Sequence, residues 1–125
     1  MFADYRVPQI LHHLRILTYP PHFTHLLHTH AMVPHGTREE VSVRAASVVA
    51  VDRVRAEIVG LRLAERQKGN DGEGRKEAEG EEVSSVLIDF YLWDLAKRIE
   101  NGEERVAGIQ TEEMLPAHRT RSIWY

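Results

Sequence analysis

An acid, an aromatic and a cation, Asp4, Tyr5 and Arg6, stand directly ahead of an apolar stretch that Pro8 can start as a helix. A helix start leaves backbone N–H groups free and carries the positive end of the helix dipole. A carboxylate held there stays ionised and can face a positive charge developing on a reacting group. Its place so near Met1 reads as the back part of a longer protein.

Two further acids, Asp89 and Asp94, interrupt the apolar run Ser85-Val-Leu-Ile-Asp-Phe-Tyr-Leu-Trp-Asp-Leu. Charged side chains are rarely buried alone, so both need donors. Those donors are either a ligand or Arg44, Arg53 and the tail arginines. At i and i+5 on a helix the two carboxylates point about 140° apart, so they form no tight pair. In the tail, His118-Arg119-Thr120-Arg121 carries guanidinium forks suited to a phosphate. The same arginines serve equally well as partners for the acids.

The histidines are dense between His22 and His30, with His12 and His13 nearby. Zinc needs imidazoles that converge. His22 and His25 share a helix face, but His28 and His30 do not join it, and no acid lies within the cluster. The cluster reads as a solvated helix face, with no metal and no cofactor implied. No phosphate-binding glycine loop, nucleophile elbow or His-Glu-x-x-His motif is present.

Composition narrows the class. The chain has 125 residues, enough for one domain and too few for two. A net charge of −3 argues against direct nucleic-acid binding but allows a small phosphorylated ligand. The absence of cysteine excludes disulfides and thiolate chemistry. No apolar run approaches the roughly 20 residues that cross a bilayer, and no signal-peptide core is seen. A cytoplasmic location is expected.

Helices must position these groups. Val7, Ile10, Leu11, Leu14 and Leu17 repeat at helical spacing up to Pro20-Pro21. A second short helix is expected from His22 to Met32. Thr37-Arg-Glu-Glu40 is a capping box opening a helix to about Gln67. Val41, Ala45, Val48, Val49, Val51, Val54, Ile58 and Leu61 are its expected buried stripe. Residues 68–82 carry almost no apolar side chains and are expected to form a disordered acidic loop. A last helix spans Ser85 to Glu100, buried on most sides, and Asn101-Gly102 stops it. Residues 103–117 look irregular. The fold class is all-α, as a single segment over residues 1–125.

Three blocks, in order, resemble one family: Phe2-Ala-Asp-Tyr-Arg-Val-Pro-Gln9, Ile88-Asp-Phe-Tyr-Leu-Trp-Asp-Leu95 and His118-Arg-Thr-Arg-Ser-Ile-Trp-Tyr125. The weaker segment Glu40-Val-Ser-Val-Arg-Ala45 fits between them. The chain resembles the C-terminal portion of the queuosine salvage proteins, queuosine 5′-phosphate N-glycosylases/hydrolases. The resemblance implies cleavage of the N-glycosidic bond of that nucleoside monophosphate, releasing queuine for salvage into tRNA modification. It also implies a helical fold similar to helix-hairpin-helix DNA glycosylases.

On this resemblance Asp4 is the catalytic carboxylate. Asp89 and Asp94 meet polar groups of queuine, Phe2 or Tyr5 stacks on the base, and Arg119 and Arg121 meet the 5′-phosphate. The alternative is a truncated, inert helical fragment that only binds a partner.

Overall fold

The computed structural model describes residues 4–69 and 83–121. Four helices follow one another: α1 (Arg6–His13), α2 (Pro21–His28), α3 (Arg38–Lys68) and α4 (Ser85–Glu100). Among the described residues there is no strand, only an isolated parallel bridge between Met32 and Arg119. The acidic segment expected from Lys68 lies largely outside the described residues; Lys68 itself closes α3 and Gly69 caps it.

Helices α1 and α2 end earlier than apolar spacing predicts, and for the same reason. Arg15 takes a left-handed φ of 61°, and the Ile16 N–H turns back to the Leu11 carbonyl at 2.8 Å. His30 does likewise at φ 52°, with the Ala31 N–H on the Leu26 carbonyl at 3.0 Å. Both are Schellman-type stops, in which the left-handed residue is usually glycine. Gly102 supplies the expected version after α4, at φ 73°.

Helix α3 begins where expected, with the Thr37 hydroxyl accepting from the Glu40 N–H at 3.4 Å, but the Glu40 carboxylate reaches back to the Gly36 N–H, not to that of Thr37. Its buried face matches the predicted stripe only in part, at Val51 and, half-buried, at Val54 and Ile58. Glu40, Val43, Ser47, Ala50 and Val51 are buried, whereas Val41, Ala45, Val48, Val49 and Leu61 are exposed. Valines occur on every side of this helix, so apolar spacing alone does not choose a face. Two polar residues occupy the inner one because each is satisfied there. The Ser47 hydroxyl donates to the Val43 carbonyl at 2.8 Å, and Glu40 is ion-paired to Arg44 at 2.6 Å.

The core gathers Val7, Ile10 and Leu11 of α1, Ala50 and Val51 of α3, and Ile88, Leu92, Leu95 and Ala96 of α4. A second cluster joins Phe23 and Leu27 of α2 to Val33, Val43 and Leu115. Tyr19 ties the two together: its hydroxyl donates to the Pro8 carbonyl at 2.7 Å, and its ring meets Phe23 edge-on at 5.0 Å. Helix α4 is not buried on most sides. Leu87, Phe90 and Tyr91 are 48%, 64% and 59% exposed, an apolar stripe at helical spacing that faces outward.

After α4 the chain runs without helix, as expected, and returns along α1. Buried Gln9 directs this return. Its Nε2 donates to the Leu115 carbonyl at 2.9 Å and to Glu100 Oε1 at 2.7 Å, linking α1, the end of α4 and the tail. The Val33 N–H then donates to the Arg119 carbonyl at 2.8 Å. Residues 118–121 are thereby brought beside the start of α1.

Candidate functional site

Asp4 does stand at a helix start. Its Oδ1 accepts from the backbone N–H of Arg6 at 2.8 Å and of Val7 at 3.3 Å. This is the geometry of an N-cap, and it satisfies two donors that the helix cannot satisfy itself. Tyr5 follows at the edge of the helix, with Arg6 against it: the guanidinium carbon lies 5.7 Å from the Tyr5 ring centre and 5.6 Å from that of Trp93. The other anchor of Arg6 is an ion pair with Glu100. The start of α1 is therefore held by hydrogen bonds, a charge pair and two ring faces.

Tyr5 and the tail share one opening. A pocket of about 370 Å³ is lined by Tyr5, Met32 and residues 117–121, which include His118, Arg119, Thr120 and Arg121. The first and third sequence motifs, more than a hundred residues apart, thus meet at one place. Arg119 and Arg121 are exposed, and neither forms an ion pair with another described residue. Serving as partners for Asp89 and Asp94, the other role open to them, is not what they do here.

His118 and Glu40 were not among the sequence-derived site residues; His118 lines this pocket, and Glu40 is near enough to act on its charge. His118 is 7% exposed and Glu40 1%. Glu40 Oε1 lies 2.6 Å from Arg44, and its Oε2 accepts from the Gly36 N–H at 3.1 Å. Burial holds the His118 imidazole below its ordinary pKa; the carboxylates of Glu40 and Asp4 oppose this, and Arg44 adds to it. The sequence placed His118 in the tail motif and Glu40 in the capping box and the Glu40–Ala45 segment, but gave no hint that either is buried.

The His118 shift has a definite sign. A histidine whose folded pKa is lowered resists a proton that the unfolded chain accepts. Stability from this group is complete above the unfolded value of 6.5 and is lost as pH falls from there toward the folded pKa. His12 acts in the same direction, through burial first, with Glu112 opposing and His13 adding. Chemical denaturation at a series of pH values below 6.5 is expected to show a shallower loss for His118→Gln than for the unmodified chain.

The other predicted residues separate. Asp89 is buried in α4 at 7% exposure. Asp94 lies on the surface of α4, its side chain 51% exposed, and pairs with Arg98 one turn on; Arg98 also reaches Glu104 at 3.0 Å. That partner is local, not one of the distant arginines expected. Phe2 lies outside the described residues. Among the described residues no three His, Asp or Glu side chains gather as a metal site requires. No helix among them is long and apolar enough to cross a membrane. A larger cleft of about 480 Å³ lies between α2 and the start of α3, lined by Leu17–Phe23 residues and Arg38–Ala46 residues, and contains none of the predicted groups.

A helical scaffold that brings an aromatic ring and two arginines, free of ion pairs among the described residues, to one opening beside a capping carboxylate has the groups to hold a small phosphorylated ligand. A family model described as queuosine salvage protein matches residues 1–125, and the chain belongs to this family. It is 38% identical over 125 residues to the queuosine 5′-phosphate N-glycosylase/hydrolase of Bos taurus, covering all of this chain and 31% of that protein. The protein of the same name from Sphaerobacter thermophilus is 36% identical over 124 residues, and 29% of it is covered. That of Nematostella vectensis is 31% identical, with 32% covered. The chain therefore spans about three-tenths of the length of these curated relatives.

Proposed function

We propose that this chain carries part of the active site of an N-glycosylase that hydrolyses queuosine 5′-phosphate and releases queuine. The observation that supports this reading best is the shared pocket, which joins Tyr5 of the first motif to Arg119 and Arg121 of the third. In the reaction the glycosidic C–N bond breaks with its electron pair left on the base. Water adds to the sugar carbon, and the base gains a proton. Oxocarbenium character develops on the ribose meanwhile.

Asp4 is assigned as the carboxylate that stabilises this charge or orients the water. Its bonds from the Arg6 and Val7 N–H groups fix the carboxylate in place. Arg119 and Arg121 take the 5′-phosphate, and Phe2 or Tyr5 stacks on the base. Asp89 is assigned to a polar edge of queuine. Asp94 joins it only by giving up Arg98. The helical architecture is compatible with a likeness to helix-hairpin-helix glycosylases. The reading also carries a cytoplasmic location, a small-molecule partner and no cofactor.

A second reading has its own observation. The outward stripe Leu87, Phe90 and Tyr91, together with Leu61 and Leu63 at 64% and 53% exposure on α3, is apolar surface of the kind that further polypeptide covers. On that reading the chain alone is an inert, partner-binding fragment. One assay separates the two. The purified chain is incubated with queuosine 5′-phosphate and free queuine is measured by mass spectrometry. Release supports the first reading. No release from this chain, with release from a version extended to the relatives' length, supports the second.

A further inference from the structure

We propose that the Thr120 hydroxyl is a third phosphate ligand of the pocket, donating to an oxygen that Arg119 and Arg121 do not reach. The proposal rests on the nucleotide-binding reading above and adds to it a residue that fixes how the phosphate sits.

Three observations carry it. Thr120 lines the same pocket as Tyr5, Arg119 and Arg121. Its Oγ1 is shielded from solvent and has no hydrogen-bond partner among the described residues. The segment also alternates: His118 is buried, Arg119 exposed, Thr120 half-buried and Arg121 exposed. Alternation in an extended segment puts the two guanidiniums at the rim and the hydroxyl on the inner wall. A phosphate held at the rim by two forks still has an oxygen turned inward. A threonine hydroxyl supplies one donor, and a charged acceptor makes that bond strong.

A shielded hydroxyl without a partner destabilises the ligand-free fold, because its bonds to water are lost and not replaced. Proteins keep such groups where a ligand completes them. This reasoning separates a binding role from a structural one. Thr120→Val keeps the shape and removes the hydroxyl. If the hydroxyl serves a ligand, the ligand-free protein melts at the same temperature or higher, while affinity for phosphate falls. If it serves the fold, the melting temperature drops and affinity follows only through unfolding.

The test is a titration, followed by amide NMR, of the full chain and of Thr120→Val and Thr120→Ser. The probes are inorganic phosphate, queuosine 5′-phosphate and unphosphorylated queuosine. Thr120→Val is expected to bind both phosphate-bearing probes about tenfold more weakly or worse, the value of a hydrogen bond to a charged acceptor. Thr120→Ser is expected to stay within about threefold, since it keeps the donor. Queuosine binding is expected to be unchanged in both. Equal phosphate affinity in the valine variant, or an equal loss for queuosine, overturns the assignment of Thr120 and leaves the pocket reading intact. An unmodified chain that binds neither phosphate-bearing probe overturns the pocket reading itself.

Discussion

Asp4→Asn is expected to slow queuine release by about 100-fold or more while leaving α1 folded, a loss of the size seen when one preorganised electrostatic group is removed. The substitution isolates charge from structure. Asp4 Oδ1 caps α1 through the Arg6 and Val7 N–H groups, and an asparagine side-chain oxygen caps about as well as aspartate. What asparagine cannot do is oppose positive charge on the ribose or take a proton from water. Asp4→Ala removes both functions and is expected to cost about 1 kcal/mol of stability as well. Queuine release and thermal melting, measured on both variants, check the split. Loss of activity in the alanine variant alone would assign Asp4 to capping and remove it from the chemistry.

Glu40→Ala is expected to lower stability by about 3 kcal/mol. The carboxylate is 1% exposed and accepts from Arg44 and from the Gly36 N–H. Its removal takes a buried carboxylate from the Arg44 guanidinium and an acceptor from the Gly36 N–H at the start of a 31-residue helix. It also takes away a carboxylate that favours a proton on His118, so the imidazole becomes harder to protonate. Urea unfolding measures the first effect, and an NMR titration of the His118 ring measures the second. Glu40→Gln keeps an acceptor for Gly36 and is expected to lose less. A Glu40→Ala protein as stable as the original would contradict the view that this ion pair braces the start of α3.

The parts of the fold that could be read in the sequence were those with a local chemical cause. The Thr37 capping box and the Asn101-Gly102 stop mark helix ends through residues that bond their own neighbours. The stops at Arg15 and His30 use the same bonds without the glycine that announces them, so apolar spacing carried the expected helices on to Leu17 and Met32. The inner face of α3 was hidden differently. Its valines surround the helix, and the deciding residues, Glu40 and Ser47, are polar.

The site divides along the same line. Asp4 at a helix start was visible, because capping is local. The meeting of Tyr5 with Arg119 and Arg121 was visible only through the family resemblance of their motifs. It depends on Gln9 and Val33 drawing the tail back, which no spacing encodes. His118 and Glu40 were missed because burial of a charged group is set by distant packing. The expected distant partner of Asp94 was displaced by an arginine one helical turn away, Arg98.

The central claim is that the pocket between Tyr5 and residues 117–121 is where the nucleotide binds. Amide chemical-shift mapping of the chain with queuosine 5′-phosphate tests it most directly. The account predicts shifts concentrated at Tyr5, Met32 and residues 117–121, spreading weakly to His118's neighbour Glu40. Shifts centred on the cleft between Leu17 and Ala46, or no shifts at saturating nucleotide, would contradict it.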